Sequence, residues 1–261
     1  MEKFVSSDGL DIHYTVRGQG PCVTLIHGIG ADHDSWDAVA AILAPSFTVV
    51  SVDLRGHGAS SRMTRCTLDD FVSDVDQLLE TLKIEKTHLV GFSLGGLIAQ
   101  KYAIENPAKL ERLVLISTVA ARTPEERERV KKRADQIDRE GIGAVVAAAE
   151  DRWFTPKFKA ANPERVAARL KQLLANDHQS YAAGYRVFAE ADEGLRFDRI
   201  VVPTLIMTGE NDPGSSPRMA RLLHDNIQGS ELHILPELRH SVLLEAPDTI
   251  AALLVAFMQP K

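Results

Sequence analysis

Cysteine is scarce in this chain: only Cys22 and Cys66 occur, and they form no C-x-x-C pair. In the cytosol both would stay reduced. Long apolar runs are absent as well, since none approaches the ~20 residues needed to cross a bilayer. The opening "MEKFVSSDGL" has neither the basic region nor the apolar stretch of a signal peptide. These absences make a cytoplasmic protein with no membrane partner the expectation. A basic run is missing too. The net charge is −6, and the segment richest in Lys and Arg, "RERVKKRADQIDRE", is interleaved with carboxylates. It reads as a solvated helix face, and nucleic acid is not an expected partner. Internal repeats and low-complexity tracts are also lacking.

What remains is an ordinary globular composition, 44% hydrophobic and 25% charged over 261 residues. That length suits one large domain, or one domain with an insertion. Short β-rich apolar runs ("CVTLIHG", "FTVVSVDL", "THLVGFS", "RLVLIST", "PTLIMTG" and "ELHILP") alternate with helical patterns. Such runs suit strands buried on both faces of a parallel sheet. The segment "LDDFVSDVDQLLETL" puts Leu68, Phe71, Val72, Val75, Leu78, Leu79 and Leu82 on one helical stripe. The expected fold class is therefore α/β, a mostly parallel doubly wound sheet. The early segment "LDIHYTVRG" alternates like a half-buried strand and is expected to start an antiparallel edge.

From about Thr123 to about Arg196 no strand pattern appears. "TPEERERVKKRADQIDRE" opens with a Thr N-cap and Pro at N1, and "NPERVAARLKQLLAND" repeats the device with Asn. A helical block inserted in an open α/β sheet falls over the carboxyl ends of its strands, where ligands bind. It is expected to be an all-helical cap, or lid, because "AAAEDRWF" and "YAAGYRVFAEAD" carry large apolar residues that need covering. The plainer alternative is a surface helical hairpin.

The chemistry centres on "LVGFSLGG". Gly91, Ser93 and Gly95 make G-x-S-x-G between a strand and a helix, the sequence form of a strained strand-to-helix turn that exposes a nucleophilic serine. A chance match in a Gly-rich loop is the competing reading, and partners decide against it. They should follow in the order acid, then histidine. "TLIMTGENDP" ends a strand at Glu210 and Asp212, and "ELHILPELRHSVLLEAP" places His240 in the next loop. His240 would take the serine proton and Asp212 would orient the imidazole. Glu210 is the alternative acid. The developing oxyanion would be held by the backbone N–H groups of Leu94 and of Ile29 in "HGIGADHDSW", with His27 bracing that loop. In "DLRGHGAS" there is neither a Walker ending nor G-x-G-x-x-G, so Asp53, Arg55 and His57 read as loop braces and not as a phosphate site. Among the other histidines only His178, on the inserted helices, is a substrate-contact candidate.

"HGIG", "DLRGHGAS", "GFSLGG", "GENDP" and "RHSVLLEAP", in that order, resemble the α/β-hydrolase family over essentially the whole chain. The resemblance implies a Ser93–Asp212–His240 triad, a core of residues 1–122 and 197–261, an inserted cap of residues 123–196, and no cofactor. Through "DRWFTPKF" and "SYAAGYRVFAEAD" the insertion is similar to that of 3-oxoadipate enol-lactonases and related carboxylesterases, although the His-Gly of the oxyanion loop departs from many of the lactonases. Arg152, by pairing with a carboxylate, and Trp153 become substrate-contact candidates; a surface Arg and a packing Trp are the plain alternative. Epoxide hydrolases and haloalkane dehalogenases place Asp at the nucleophile, so both are disfavoured. C–C bond hydrolases share the serine triad but carry Pro-Gly where this chain has Ala31-Asp32, and they stand as the second enzyme class; a cofactor-free haloperoxidase side activity is compatible with the same triad. The expected activity is hydrolysis of small carboxylic esters or lactones through an acyl-enzyme, against the rival of a non-catalytic small-ligand receptor.

Overall fold

Runs such as "CVTLI" and "RLVLI" carry apolar side chains on both strand faces, which only a sheet covered on both sides can bury. The computed structural model, which describes residues 1–191 and 194–259, builds them into one eight-stranded sheet. Its strands are β1 (Glu2–Val5), β2 (Asp11–Arg17), β3 (Cys22–Ile26), β4 (Thr48–Val52), β5 (Thr87–Phe92), β6 (Leu110–Ile116), β7 (Thr204–Gly209) and β8 (Glu231–Leu235). They lie in the order β1-β2-β4-β3-β5-β6-β7-β8, antiparallel only at the β1/β2 and β2/β4 pairings. The expected mostly parallel α/β sheet is present. The antiparallel edge begins one strand earlier than "LDIHYTVRG", with β1. Three of the four β1 side chains are exposed and only Phe4 is buried, so no apolar alternation announced it.

Successive residues of the inner strands serve two separate cores. Val23, Leu25, Val90, Val114, Ile116 and Leu205 pack with α1 (Asp37–Leu43) and, after it, the C-terminal helix Pro247–Met258. Leu89, Leu113, Leu115 and Ile206 face the other way, toward α2 (Leu68–Thr81) and α3 (Leu94–Glu105). The α2 stripe is buried from Leu68 to Leu79, and a capping box between Thr67 and Asp70 fixes its start.

Between β6 and β7 the described residues form five α-helices: α4 (Pro124–Glu140), α5 (Val146–Trp153), α6 (Pro156–Ala161), α7 (Pro163–Leu174) and α8 (His178–Glu190). Thr123 caps α4 in a second capping box. Asn162 precedes Pro163 as read from the sequence, but its side chain makes no cap bond to α7. Val130, Ala134, Ile137, Leu173, Tyr181 and Tyr185 join the same apolar cluster as α2 and α3. Asp192 and Glu193, inside the expected 123–196 insertion, lie outside the described residues. The chain closes with α9 (Pro217–Asn226), α10 (Val242–Glu245) and α11 (Pro247–Met258). Among the described residues no helix is long and apolar enough to cross a membrane.

Candidate active site

Ser93 stands between β5 and α3 with φ 55° and ψ −113°, on the side of conformational space that non-glycine residues avoid. A residue held there costs on the order of 1–3 kcal/mol, offset by its surroundings. The Ser93 amide donates to Ile116 O at 2.9 Å, and Thr118 Oγ1 donates to Ser93 O at 3.0 Å. The flanking glycines are steric necessities. A Cβ on Gly91 would lie 2.2 Å from Gly95 O, and one on Gly95 would lie 2.3 Å from Ile26 O.

The ends of β7 and β8 supply the partners. Asp212 is 2% exposed. Its Oδ1 accepts the Gly214 and Ser215 amides, each at 2.9 Å. Its Oδ2 lies 2.6 Å from His240 Nδ1, and His240 Nε2 lies 3.2 Å from Ser93 Oγ. With Nδ1–H donating to the carboxylate, Nε2 is left to accept the serine hydroxyl. Glu210 stays outside this relay: its carboxylate accepts the Glu237 amide at 3.0 Å, at the surface.

The loop after β3 lies directly against the serine, for a Cβ on Gly28 would come within 3.0 Å of Ser93 Cβ. Among the described residues, neither the Ile29 nor the Leu94 amide has a hydrogen-bond acceptor. His27 is fully buried behind them. Its Nε2 accepts the Leu54 amide at 3.0 Å, so Nδ1–H donates to Gly28 O at 2.8 Å. The "DLRGHG" residues brace the neighbouring loop. Asp53 accepts the His33 and Ala59 amides, and Arg55 pairs with Asp74 at 2.7 Å and with Asp8. His57 donates to Arg55 O, while its buried Nε2 has no partner. Burial, with the nearby His27 adding to it, pulls the His57 imidazole down to about 3, so it is neutral.

Ser93, His240, Ile29 and Trp153 form the wall shared by two cavities. The larger, about 580 Å³, is bordered by Phe92, Leu243, Leu244 and Arg169. The smaller, about 110 Å³, is bordered by Arg129, Arg133, Arg152, Tyr181, Tyr185 and Phe188. Arg152 makes no hydrogen bond or ion pair with any described residue, and burial and the neighbouring Arg133 lower its proton affinity. Arg133 donates to Tyr185 Oη at 3.1 Å. Among the described residues two carboxylates border this cavity, and both are engaged, Glu126 by Arg218 and the Thr123 amide and Asp212 by His240. The small cavity is therefore an electropositive pocket beside the serine.

His178 is not brought to this place. It is exposed at the first turn of α8 and borders a shallow outer groove with Thr64, Asp138 and Arg186. Helical phase decides this, because α8 turns Tyr181, Gly184 and Tyr185 inward. A second correction concerns "RERVKKRADQIDRE", which is not wholly a solvated face. Arg133 shares the helical side of buried Val130, Ala134 and Ile137 and reaches the small cavity. That spacing was the available signal. Arg169 carries the same signal in α7, standing three residues after buried Val166 and four before buried Leu173.

The His240 loop is also tied to the inserted helices. Ser241 N donates to Trp153 O at 2.9 Å. Arg239 donates to the Asp151 and Phe154 carbonyls, and Glu245 accepts from the Thr155 amide and hydroxyl. Among the described residues no cluster of three His, Cys, Asp or Glu side chains is arranged for a metal ion.

The chain is 28% identical to 3-oxoadipate enol-lactonase 1 of Acinetobacter baylyi, over 92% of this chain and 89% of that one. It is 30% identical to (E)-2-((N-methylformamido)methylene)succinate hydrolase of the same organism, over 97% and 96%. The crystal structure of the enol-lactonase from Burkholderia xenovorans LB400 superposes with a TM-score of 0.91 at 28% identity, covering 98% of this chain and 99% of that one. The family model for the alpha/beta hydrolase fold matches residues 21–247, and the chain belongs to that family.

Proposed function

We propose that this protein hydrolyses a small carboxylic ester or lactone bearing a carboxylate, through an acyl-enzyme on Ser93. The observation that carries the reading is the unbroken relay from Asp212 through His240 to Ser93, opening on both cavities. His240 Nε2 takes the Ser93 proton as Oγ attacks the carbonyl carbon. The resulting oxyanion is received by the Ile29 and Leu94 amides, whose lack of other acceptors among the described residues leaves them ready for it. Collapse expels the alkoxide or enolate, which His240 protonates. A water deprotonated by His240 then attacks the acyl carbon, and Ser93 leaves with the proton returned to it. Asp212 holds the imidazole tautomer and stabilises its positive charge.

The inserted helices act as a cap that shapes the pocket. Arg152, unpaired among the described residues and beside Arg133, receives the substrate carboxylate, and Trp153 separates the two cavities. The names of both Acinetobacter baylyi relatives denote carboxylate-bearing compounds, in keeping with this assignment. The test is hydrolysis of p-nitrophenyl butyrate by wild type and Ser93→Ala, with mass spectrometry after fluorophosphonate treatment. Wild type should release p-nitrophenol thousands of times faster than the variant, with the adduct on Ser93. Equal release by the two proteins, or an adduct elsewhere, would defeat the reading.

A further inference from the structure

The oxyanion loop of this chain is gripped from two sides. Residues 28–31 form a tight turn: the Ala31 amide donates to Gly28 O at 3.2 Å, and Gly30 takes φ +67°, a conformation that suits glycine. The core holds the first carbonyl of the turn through His27. A later carbonyl of the turn, Gly30 O, is held by the inserted helices, accepting Arg169 Nη1 at 2.9 Å and Asn176 Nδ2 at 3.3 Å. This carbonyl shares its peptide plane with the Ala31 amide, so the plane is held at both ends, and the grip passes to Gly28 O, which belongs to the same peptide as the Ile29 N–H.

Arg169 is an unusual choice of anchor. It has no carboxylate partner among the described residues, and its guanidinium lies 4.5 Å over the Trp153 ring. A cation on an aromatic face with a charge-assisted bond to a carbonyl is well oriented, because the planar fork fixes its direction. Trp153 in turn offers its own carbonyl to Ser241, the residue after His240. The stack therefore joins the turn that carries the Ile29 amide to the loop that carries the histidine.

We propose that Arg169 is a positioning residue: by fixing Gly30 O while braced on Trp153, it keeps the Ile29 N–H aimed at the developing oxyanion and in register with His240. The proposal rests on the hydrolase reading above for its kinetic consequence and on the geometry alone for its structural one.

Arg169→Met, Arg169→Lys and Asn176→Ala would be compared with wild type on p-nitrophenyl butyrate. Hydrogen exchange would be followed for the peptide spanning residues 27–31. Arg169→Met should lower kcat by about tenfold to a hundredfold with KM within about twofold, the signature of a misaimed group. It should also speed exchange in residues 27–31 while the melting temperature stays near wild type. Arg169→Lys should recover part of kcat, and Asn176→Ala should lose less than Arg169→Met. A raised KM with kcat unchanged would make Arg169 a substrate anchor and overturn the proposal, as would unchanged kcat and exchange in folded Arg169→Met. If Arg169→Met does not fold, Arg169→Lys and Asn176→Ala decide by the same two readouts. If wild type turns over no ester at all, the hydrolase reading fails, and the exchange comparison still decides whether Arg169 holds the turn.

Discussion

The carboxyl ends of the strands and the inserted helices both border the cavities beside Ser93, yet they hold their functional groups in different ways. At the sheet, main-chain geometry does the holding. The Ser93 amide is tied to Ile116, Asp212 is fixed by the Gly214 and Ser215 amides, and Gly91 and Gly95 leave no room for a methyl group. In the insertion, long side chains do it: Arg133, Arg152 and Arg169 reach inward from helices, and Arg152 bonds to nothing among the described residues. On the proposed function, reactivity rests chiefly on the backbone, where a change is costly, and selection on Arg133 and Arg152, whose side chains can be exchanged at little cost to folding, while Arg169 links the two.

Substitutions on each side should separate these two kinds of control. The largest effect belongs to the sheet. Asp212→Asn should cut kcat by about 10⁴-fold with the fold intact, because the amide favours the wrong imidazole tautomer; stopped-flow kinetics beside circular dichroism would check it. Turnover near the wild-type rate would move the orienting role to Glu210. On the insertion side, Arg152→Met should raise KM for an acidic ester by about 30-fold, equivalent to ~2 kcal/mol for a lost charge-assisted bond. A neutral ester of the same size should change by less than about threefold. Equal effects on both esters would show that the pocket reads shape and not charge.

A smaller effect is one of pH on stability. His57 binds its proton at about 3 when folded and near 6.5 when unfolded. Below 6.5 the unfolded chain therefore binds more protons than the native one. Native stability is retained above that point and is lost as pH falls toward 3, by up to about 1.4 kcal/mol per pH unit. Thermal melts between pH 7 and 4 should fall less steeply for His57→Gln than for wild type. Parallel curves would mean that the acid sensitivity lies in other groups. The smallest effect is expected of His178→Ala, whose kcat/KM should match wild type because the side chain faces the outer groove.

Legibility in the sequence followed the same division. Strand runs, the glycine spacing around Ser93, and the order of acid and histidine are local signals set by sterics and period, and they can be read without a structure. The β1 strand was not legible, because one buried side chain in four makes no pattern. His178 and Arg133 show the limit more sharply. Both sit on polar helical segments, and only the phase of α8 and α4 against their neighbours turns one outward and the other inward. Arg169 depends on a carbonyl 139 positions away in sequence, a pairing that no local rule contains.

The bonds between the His240 loop and the inserted helices bear on how such a protein can diversify. Ser241 and Arg239 take hold of the carbonyls of Trp153, Asp151 and Phe154, which are main-chain groups. Main-chain acceptors are indifferent to the side chains that accompany them. Descendants of this chain could therefore rewrite much of the α5–α6 corner, and with it the choice of substrate, while inheriting the histidine's anchorage unchanged.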